Sequence, residues 1–419
     1  MFLIYSILYF LAVAVLFVPQ YLRRPKDIRH IWLRNKCGIF DGITYPLPHA
    51  PVWVHAVSVG EVNAALPFLK KLRMSHPDIP IILSTITDTG WKIAKEKAPE
   101  GTSVVYLPFD LQFILSRCFH KVSPRLLVVM ETELWPNLFR VASGQHIPVV
   151  ILNGRISERS AKGYKRVSFF MTKVFGHVAL FCMQSETDAD RIISAGAEDK
   201  KVQVTGNFKF DMEIPEDIPE WMTEVQGHVI VAGSTHEGEE QVVIDAYREN
   251  VYLFPGLKLI IAPRHPERFS EAEDVIRKSD MRYLRRSEIG SSGLELRAKD
   301  FCILLLNTVG ELSSVYRLAD IAIMGKSFRG FGGQNPLEPA YWSKPIICGP
   351  HMENFPFITE FYAEGAAFEV APTGLAKKIK ELLMQPEKAM AAGEKARELY
   401  LKNSGAVERS LKIIEQFLR

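Results

Sequence analysis

Cysteine is scarce, 5 in 419 residues. Cys37, Cys118, Cys182, Cys302 and Cys348 are scattered, with no C-x-x-C pair among them. That usage excludes a disulfide framework and a cysteine zinc site, and it fits a reducing compartment. Cys182 and Cys348 lie in apolar runs and read as small core residues. An excess of one charge is also missing: 51 Lys and Arg stand against 48 Asp and Glu, a balance too even to argue for nucleic acid. Low-complexity tracts and repeats at solenoid periods are absent, which removes disordered and superhelical classes. His55, His236 and His265 fall on separate elements without ligand spacing, and His55, inside an apolar strand, reads as a hydrogen-bonded structural histidine. Asp188-Ala189-Asp190 matches a D-x-D metal motif only superficially. It falls on a helix expected over Glu186 to Ala195, where positions two apart face different ways, and it reads as solvated charge. Neither a metal nor a cofactor is expected.

One long apolar run is present, Phe2 to Val18, ended by Pro19 and followed by Arg23, Arg24, Lys26, Arg29, Arg34 and Lys36. Its length is at the short end for crossing a bilayer. A signal peptide needs a basic start and a small-residue cleavage site, and neither is there. A buried core helix usually keeps a polar face, which this run lacks. The expectation is a single-pass membrane anchor over residues 1–22, with the cations holding everything after it on the cytoplasmic side.

Beyond the anchor, β-branched apolar runs alternate with amphipathic stretches in two series. Strands are predicted at Val52 to Val57, Ile79 to Ser84, Ser103 to Leu107, Leu126 to Met130, Pro148 to Leu152 and Ala179 to Met183. The second series falls at His228 to Ala232, Lys258 to Ala262, Phe301 to Leu306, Ile321 to Met324 and Pro345 to Cys348. Nearly continuous hydrophobicity within strands, with helices between them, means parallel sheets covered on both faces. The fold class is α/β: two Rossmann-like domains over residues 23–210 and 221–390, facing each other across a cleft. An acidic, proline-containing linker is expected at 211–220, and one or two terminal helices from Glu387 to Arg419, with 391–419 as the C-terminal region.

Two acidic stretches follow strands of the first series. Glu61 opens a helix after Ser58-Val59-Gly60, and Glu131 and Glu133 follow the Leu126 to Met130 strand. The carboxyl end of a parallel strand is where α/β proteins build ligand clefts. Glu61 reads equally as a first-turn glutamate that complements the helix dipole and as a general base. The dipole lowers its basicity, so a base there needs burial or a second carboxylate to offset it. Glu131 and Glu133 can share a proton, position a base or bind a sugar. One of them is expected to cap the helix that Pro136 starts.

In the second series, Gly233-Ser234-Thr235-His236-Glu237-Gly238-Glu239 runs from a strand into a helix and offers an anion site at a helix N-terminus. The same geometry recurs at Asn307-Thr308-Val309-Gly310-Glu311-Leu312. Arg264, at the end of another strand, suits a phosphate or a sugar carboxylate. The glycine-rich run from Gly330 ends in Asn335-Pro336-Leu337-Glu338-Pro339, where Glu338 suits two ribose hydroxyls. It is not a full G-x-G-x-x-G and supports a dinucleotide fingerprint only weakly.

Taken in order, Trp53 to Glu61, Glu131-Thr132-Glu133-Leu134-Trp135-Pro136, Asn153-Gly154-Arg155-Ile156-Ser157, Gly206-Asn207-Phe208-Lys209-Phe210-Asp211, Pro263-Arg264-His265 and Asn335 to Pro339 resemble the bacterial Kdo transferases of lipopolysaccharide synthesis, over nearly the whole chain. The resemblance implies two Rossmann-like domains of the GT-B type. It implies inverting, metal-independent transfer of 3-deoxy-D-manno-octulosonic acid (Kdo) from CMP-Kdo to a lipid A precursor of the lipid IVA type at the inner membrane, with more than one Kdo added by some members. It makes Glu61 the general base and Glu131 a second essential carboxylate. CMP is expected at Ser234, Thr235, His236, Arg264, His265, Gly310, Glu311, Asn335 and Glu338, and the acceptor at Ser58, Gly60, Arg155 and Arg159. Lys162, Lys165 and Arg166 are further candidates for acceptor phosphates, or an ordinary exposed helix face. Where the family usually has His and Asp, this chain has Gln334 and Asn307, which hydrogen-bond but carry no charge. Two rivals stand beside this reading: an epimerase or UDP-sugar transferase on the same fold, and a nucleotide-sugar binding protein without turnover.

Overall fold

The computed structural model describes residues 1–215, 217–293 and 301–418. The chain divides into two compact units, Met1–Met212 with Asn403–Arg419, and Glu213–Lys402.

In the first unit seven strands form one parallel sheet: β1 (Val52–His55), β2 (Ile81–Thr85), β3 (Thr102–Tyr106), β4 (Leu126–Met130), β5 (Val149–Gly154), β6 (Leu180–Met183) and β7 (Val202–Val204). Their order is β3-β2-β1-β4-β5-β6-β7. Alternate residues of each strand feed two cores. Trp53, Leu127, Val129 and Ile151 pack on one face, and Val54, Leu126, Val128 and Leu152 on the other. Such strands carry no polar face, which is why they read as unbroken apolar runs. The last helix, Ala406–Ile414, puts Val407, Leu411 and Ile414 into the second of these cores. Asp211 holds its start, taking the backbone N–H groups of Gly405 and of Val407 (2.6 Å). The C-terminal segment, expected as one or two helices, is two, Pro386–Asn403 and Ala406–Ile414, divided near the unit boundary. Asp211, expected to begin a linker, is a cap.

The second unit repeats the plan with β8 (Val229–Thr235), β9 (Lys258–Pro263), β10 (Tyr283–Arg285), β11 (Ile303–Leu305), β12 (Ile321–Met324), β13 (Ile346–Cys348) and β14 (Ala367–Glu369), in the order β10-β11-β9-β8-β12-β13-β14. In each sheet the first strand, β1 or β8, has neighbours whose connections lead away in opposite directions. That is the topological switch point, where a crevice opens beyond the strand ends. Strands β7, β10 and β14 do not stand out in the sequence. Each is three residues at or near a sheet edge, with too little burial to impose a pattern.

Pro19 does not end the N-terminal helix, which runs Phe2–Arg23 with Pro19 inside it. Phe17 and Tyr21, on either side of the proline, both pack on Trp32, which holds the helical path through the residue that lacks an N–H. The free cysteines Cys182 and Cys348 are buried.

Candidate functional site

At the β1–β4 switch point, Ser58 stands before the helix Val59–Ser75 and Glu61 lies in its first turn. Glu61 is only 7 % exposed. Its Oε2 accepts the Val57 N–H (2.8 Å) and its Oε1 accepts the Ser58 hydroxyl (3.1 Å). A first-turn glutamate reaching back to the chain before the helix is a close variant of the capping box, so the helix-end reading holds. It does not exhaust the residue. Burial pushes the Glu61 carboxyl up to about 7 against the pull of the Val57 N–H, and the charges of Glu133 and Glu131 push the same way. A carboxylate poised near neutral pH is what proton abstraction needs. Gly60 is exposed, and a Cβ built there meets nothing closer than the Ser58 Oγ at 3.8 Å, so the backbone beside Glu61 is open to a ligand.

Glu131 leaves β4 in the left-handed region, with φ 54°, a conformation that costs a non-glycine residue about 1–3 kcal/mol and clusters at functional sites. Its N–H still donates to the Leu152 carbonyl (2.9 Å), so the strand pairing ends at this turn. Burial raises its carboxyl, opposed by the cations Lys209 and Arg155; burial and Glu131 raise that of Glu133. Neither glutamate caps the helix Pro136–Gly144. Asp110, 1 % exposed, does so, accepting the N–H groups of Asn137 (3.1 Å) and Leu138 (2.7 Å). The expected capping role of Glu131 or Glu133 is thus taken by a residue 26 positions before Pro136, and both carboxylates remain with Glu61.

Lys209 arrives through Asn153, which follows Glu131's pattern with φ 56°. The buried Asn153 Oδ1 accepts the Phe208 N–H (3.0 Å), fixing the turn Phe208–Asp211 that carries the lysine. Arg155 is held from two sides: its carbonyl accepts the Thr132 hydroxyl, and the next N–H, that of Ile156, donates to Asp188 (2.9 Å). Asp188 is buried and also accepts the Ser185 hydroxyl (2.5 Å). The sequence reading of Asp188 as solvated charge is therefore corrected, whereas Asp190 is exposed. Arg159, Lys162, Lys165 and Arg166 are exposed on the helix Glu158–Arg166, with Lys162 paired to Glu158 (2.6 Å). His55 is fully buried, with Nδ1 3.0 Å from the Ser84 Oγ, and burial pushes its pKa down to about 3; it is a neutral structural histidine.

In the second unit, a cavity of about 350 Å³ at the β8–β12 switch point is lined by Ser234, Arg264, Gly310, Leu312, Ser313, Tyr316, Met324, Gln334, Asn335 and Glu338. Gly233 makes it possible. A Cβ there would stand 1.8 Å from the Tyr316 Oη, so only glycine lets the buried tyrosine lie against β8. Ser234 bulges from β8 at φ 55°, where the register with β9 shifts between Gly233 and Thr235. Burial pushes Glu338 up to about 7, and the Arg264 cation opposes that shift.

Four residues expected at the nucleotide do not line this cavity, each for a visible reason. The Thr235 hydroxyl donates to the buried Glu240 (2.9 Å), which also takes Arg268 (2.9 Å). His236 sits one residue removed, its Nε2 3.1 Å from the Gln334 amide and its ring 5.5 Å from that of His265. His265 is exposed. Glu311 spends its carboxylate on the Trp221 indole (3.0 Å), Arg286 (2.9 Å) and the Thr308 hydroxyl. Asn307 likewise bridges to Ser287, accepting its N–H (2.9 Å). The helix Glu239–Val251 begins with two buried carboxylates. Glu239 takes the N–H groups of His236 (2.9 Å), Lys326 (2.6 Å) and Phe328 (2.9 Å), so these acids already offset the positive helix end read as an anion site. Sequence reasoning missed Lys209, Asp110, Tyr316 and Ser313 as members of these sites. Of these only Lys209 carried a signal, as the cation inside the Gly206 to Asp211 motif.

Residues 32–212 match the family model for 3-deoxy-D-manno-octulosonic-acid transferase (kdotransferase). The chain is 32% identical over 409 residues to a 3-deoxy-D-manno-octulosonic acid transferase of Haemophilus influenzae, covering 96% of this chain and 92% of that protein. It is 32% identical over 395 residues to the enzyme of the same name from Bordetella pertussis, covering 90% of each. Among solved structures, a putative UDP-N-acetylglucosamine 2-epimerase from Listeria monocytogenes is similar with a TM-score of 0.58 at 11% identity, over 88% of this chain and 96% of that one. That likeness shows the fold, which is of the GT-B kind.

Proposed function

Because the chain belongs to the 3-deoxy-D-manno-octulosonic-acid transferase family, and is therefore a Kdo-transferring glycosyltransferase of lipopolysaccharide synthesis, we propose a specific division of labour for its two units. The first unit takes a lipid A precursor of the lipid IVA type, and the second takes CMP-Kdo. Glu61 removes the proton of the acceptor sugar hydroxyl. The hydroxyl oxygen then forms a bond to the anomeric carbon of Kdo while the bond from that carbon to the CMP phosphate breaks. The electron pair leaves with CMP, the proton stays on Glu61, and the anomeric centre inverts. CMP is already a good leaving group, so the reaction runs without a metal, with Arg264 and the Ser234 turn receiving the phosphate.

The observation that carries this reading is Glu61: buried at a switch point, beside two further carboxylates, with its carboxyl pushed up to about 7. Glu131, whose carboxyl feels the opposing charges of Lys209 and Arg155, keeps negative charge near Glu61, and those two cations face the acceptor phosphates. Arg159 extends that cationic edge, and Ser58 and Gly60 border the acceptor hydroxyl. In the second unit Ser234, Gly310, Asn335 and Glu338 border the nucleotide, with Glu338 toward the ribose. Thr235, His236, His265 and Glu311 act behind them by fixing the loops. The apolar helix Phe2–Arg23 tethers the enzyme to the inner membrane, where its acceptor resides, with both units on the cytoplasmic side.

The test is to incubate the full chain with tetra-acylated lipid A precursor and CMP-Kdo, without metal and with a chelator, and weigh the lipid by mass spectrometry. One or more added Kdo residues are expected, and the number added shows whether one enzyme transfers repeatedly. An unchanged lipid with CMP-Kdo, together with thermal protection by UDP rather than CMP, removes the proposal.

A further inference from the structure

By length and composition the helix Phe2–Arg23, with a mean hydropathy of 2.4, is able to cross a membrane, and the sequence reads as a single-pass span. The side chains say something else. Phe2, Tyr5, Ser6, Tyr9, Val13, Phe17 and Tyr21 are half-buried, and every other residue from Leu3 to Leu22 is exposed. Those seven recur at three- and four-residue steps, so they form one stripe along the helix.

The stripe is docked on the first unit through its first third and its last two turns. At one end the Phe2 ring meets Phe170 (5.4 Å) and His177 (5.7 Å). In the next two turns the Tyr5 hydroxyl donates to Asp110 (2.7 Å), the Asn137 amide donates to the Ser6 hydroxyl (3.0 Å), and Tyr9 meets Trp135 edge-on (6.5 Å). At the other end Phe17 and Tyr21 pack on Trp32, and Arg24 pairs with Asp88 (3.0 Å). A 22-residue helix is roughly 33 Å long, about the thickness of the hydrocarbon core. To cross it, the helix would have to leave every one of these contacts except those at its last turn. The opposite face is apolar and uncovered, with Leu3 71 % and Val15 74 % exposed.

We propose that this helix lies in the plane of the membrane rather than across it. Its docked stripe stays on the first unit, and its free stripe of Leu3, Ile7, Leu8, Leu11, Val15 and Val18 sinks into one leaflet. The partner is a lipid surface bearing anionic headgroups, because Arg23 and Lys26 are exposed at the end of the stripe and attract them. The stretch Glu131 to Trp135 gains a purpose from this arrangement. Trp135, two residues after Glu133, touches the helix through Tyr9, so the membrane plane and the carboxylate cluster are fixed relative to each other through one side-chain contact. A glycolipid sugar then meets Glu61 without leaving the leaflet. The proposal rests on the membrane association stated above and is independent of the chemistry assigned to Glu61.

The test uses the full chain with a cleavable tag at each end, reconstituted into sealed phosphatidylethanolamine–phosphatidylglycerol vesicles. Protease is added outside, without detergent. Among molecules whose C-terminal tag is cut, the in-plane helix predicts that the N-terminal tag is cut as well. Protection of the N-terminal tag until detergent is added means that the helix spans, and overturns the proposal while leaving membrane association intact. Nitroxides on L8C, L11C, V15C and V18C, in a C37S/C302S background, are expected at one shallow depth; a maximum at the centre of the run contradicts that. Failure to float with the vesicles at all removes the lipid partner, and the membrane reading falls with it. Leu8→Glu together with Val15→Glu is expected to lower the floated fraction at least tenfold.

Discussion

Past the end of β1, Glu61 shares its surroundings with Glu131 and Glu133; in the cavity of the second unit, Glu338 lies with Arg264. Both Glu61 and Glu338 are pushed up to about 7, and burial is the first cause in each. Their neighbours differ in sign. Like charges add to the shift at Glu61, whereas a cation opposes it at Glu338. The same fold, used twice, therefore surrounds one raised carboxyl with like charges and the other with a cation, the difference on which the proposed roles of base and anion site rest. What separates them is the charge of the neighbouring residues, since both glutamates stand in the first turn of a helix.

Removing one charged side chain from each site separates the two roles most strongly. Glu61→Ala is expected to lower transfer by about 10²–10⁴-fold while leaving CMP binding, read by calorimetry, unchanged; equal losses in both would merge the sites. Arg264→Ala should do the reverse. It is expected to weaken CMP binding by roughly tenfold or more, the scale of a hydrogen bond to a charged group, and to leave acceptor binding as it was. The like-charge part of the comparison is sharpened by Glu133→Gln. With one repelling charge gone, the Glu61 carboxyl falls, and the acid limb of the kcat/KM profile moves to lower pH without loss of its plateau. A limb that stays in place shows that burial alone sets the value.

The smallest expected effect is on stability. The folded Glu61 carboxyl lies above its unfolded value of 4.5. Its favourable contribution is thus present below about 4.5 and lost as pH rises through about 7. Glu61→Gln, which never ionises, should gain on the wild type over that window, by about 1–3 kcal/mol at pH 8, and show no gain at pH 4. Thermal unfolding at the two pH values reads it, and a gain of equal size at both would point to packing instead.

Much of this comparison was legible in the chain. Uninterrupted apolar strands followed by polar turns gave both sheets, because strands covered on two faces have no polar positions to confuse the pattern. Glu61 and Glu131 were visible for the same reason, each standing just past the stop of such a run, whereas Glu338 was visible through the glycine-rich run that precedes it. The edge strands β7, β10 and β14 were not visible, being too short and too exposed to carry a pattern. Three polar assignments also failed, and each through a partner distant in sequence. Asp110 caps the helix at Pro136, Asp188 holds the Ile156 N–H, and Glu311 is spent on Trp221 and Arg286. Hydrogen bonds across 25 or more residues leave no local spacing to read. The docked face of the first helix was hidden likewise, since Tyr5, Ser6 and Tyr9 find their partners at Asp110, Asn137 and Trp135, more than a hundred residues along the chain.

The pH dependence of kcat/KM for Kdo transfer tests the central claim most directly, because it reports ionisations of the free enzyme. A base at Glu61 predicts a rate that rises one-proton-steep through about pH 7 in the wild type, with that limb absent from the residual rate of Glu61→Gln. A profile flat from pH 5 to pH 9, or one whose limb survives in Glu61→Gln, would contradict it.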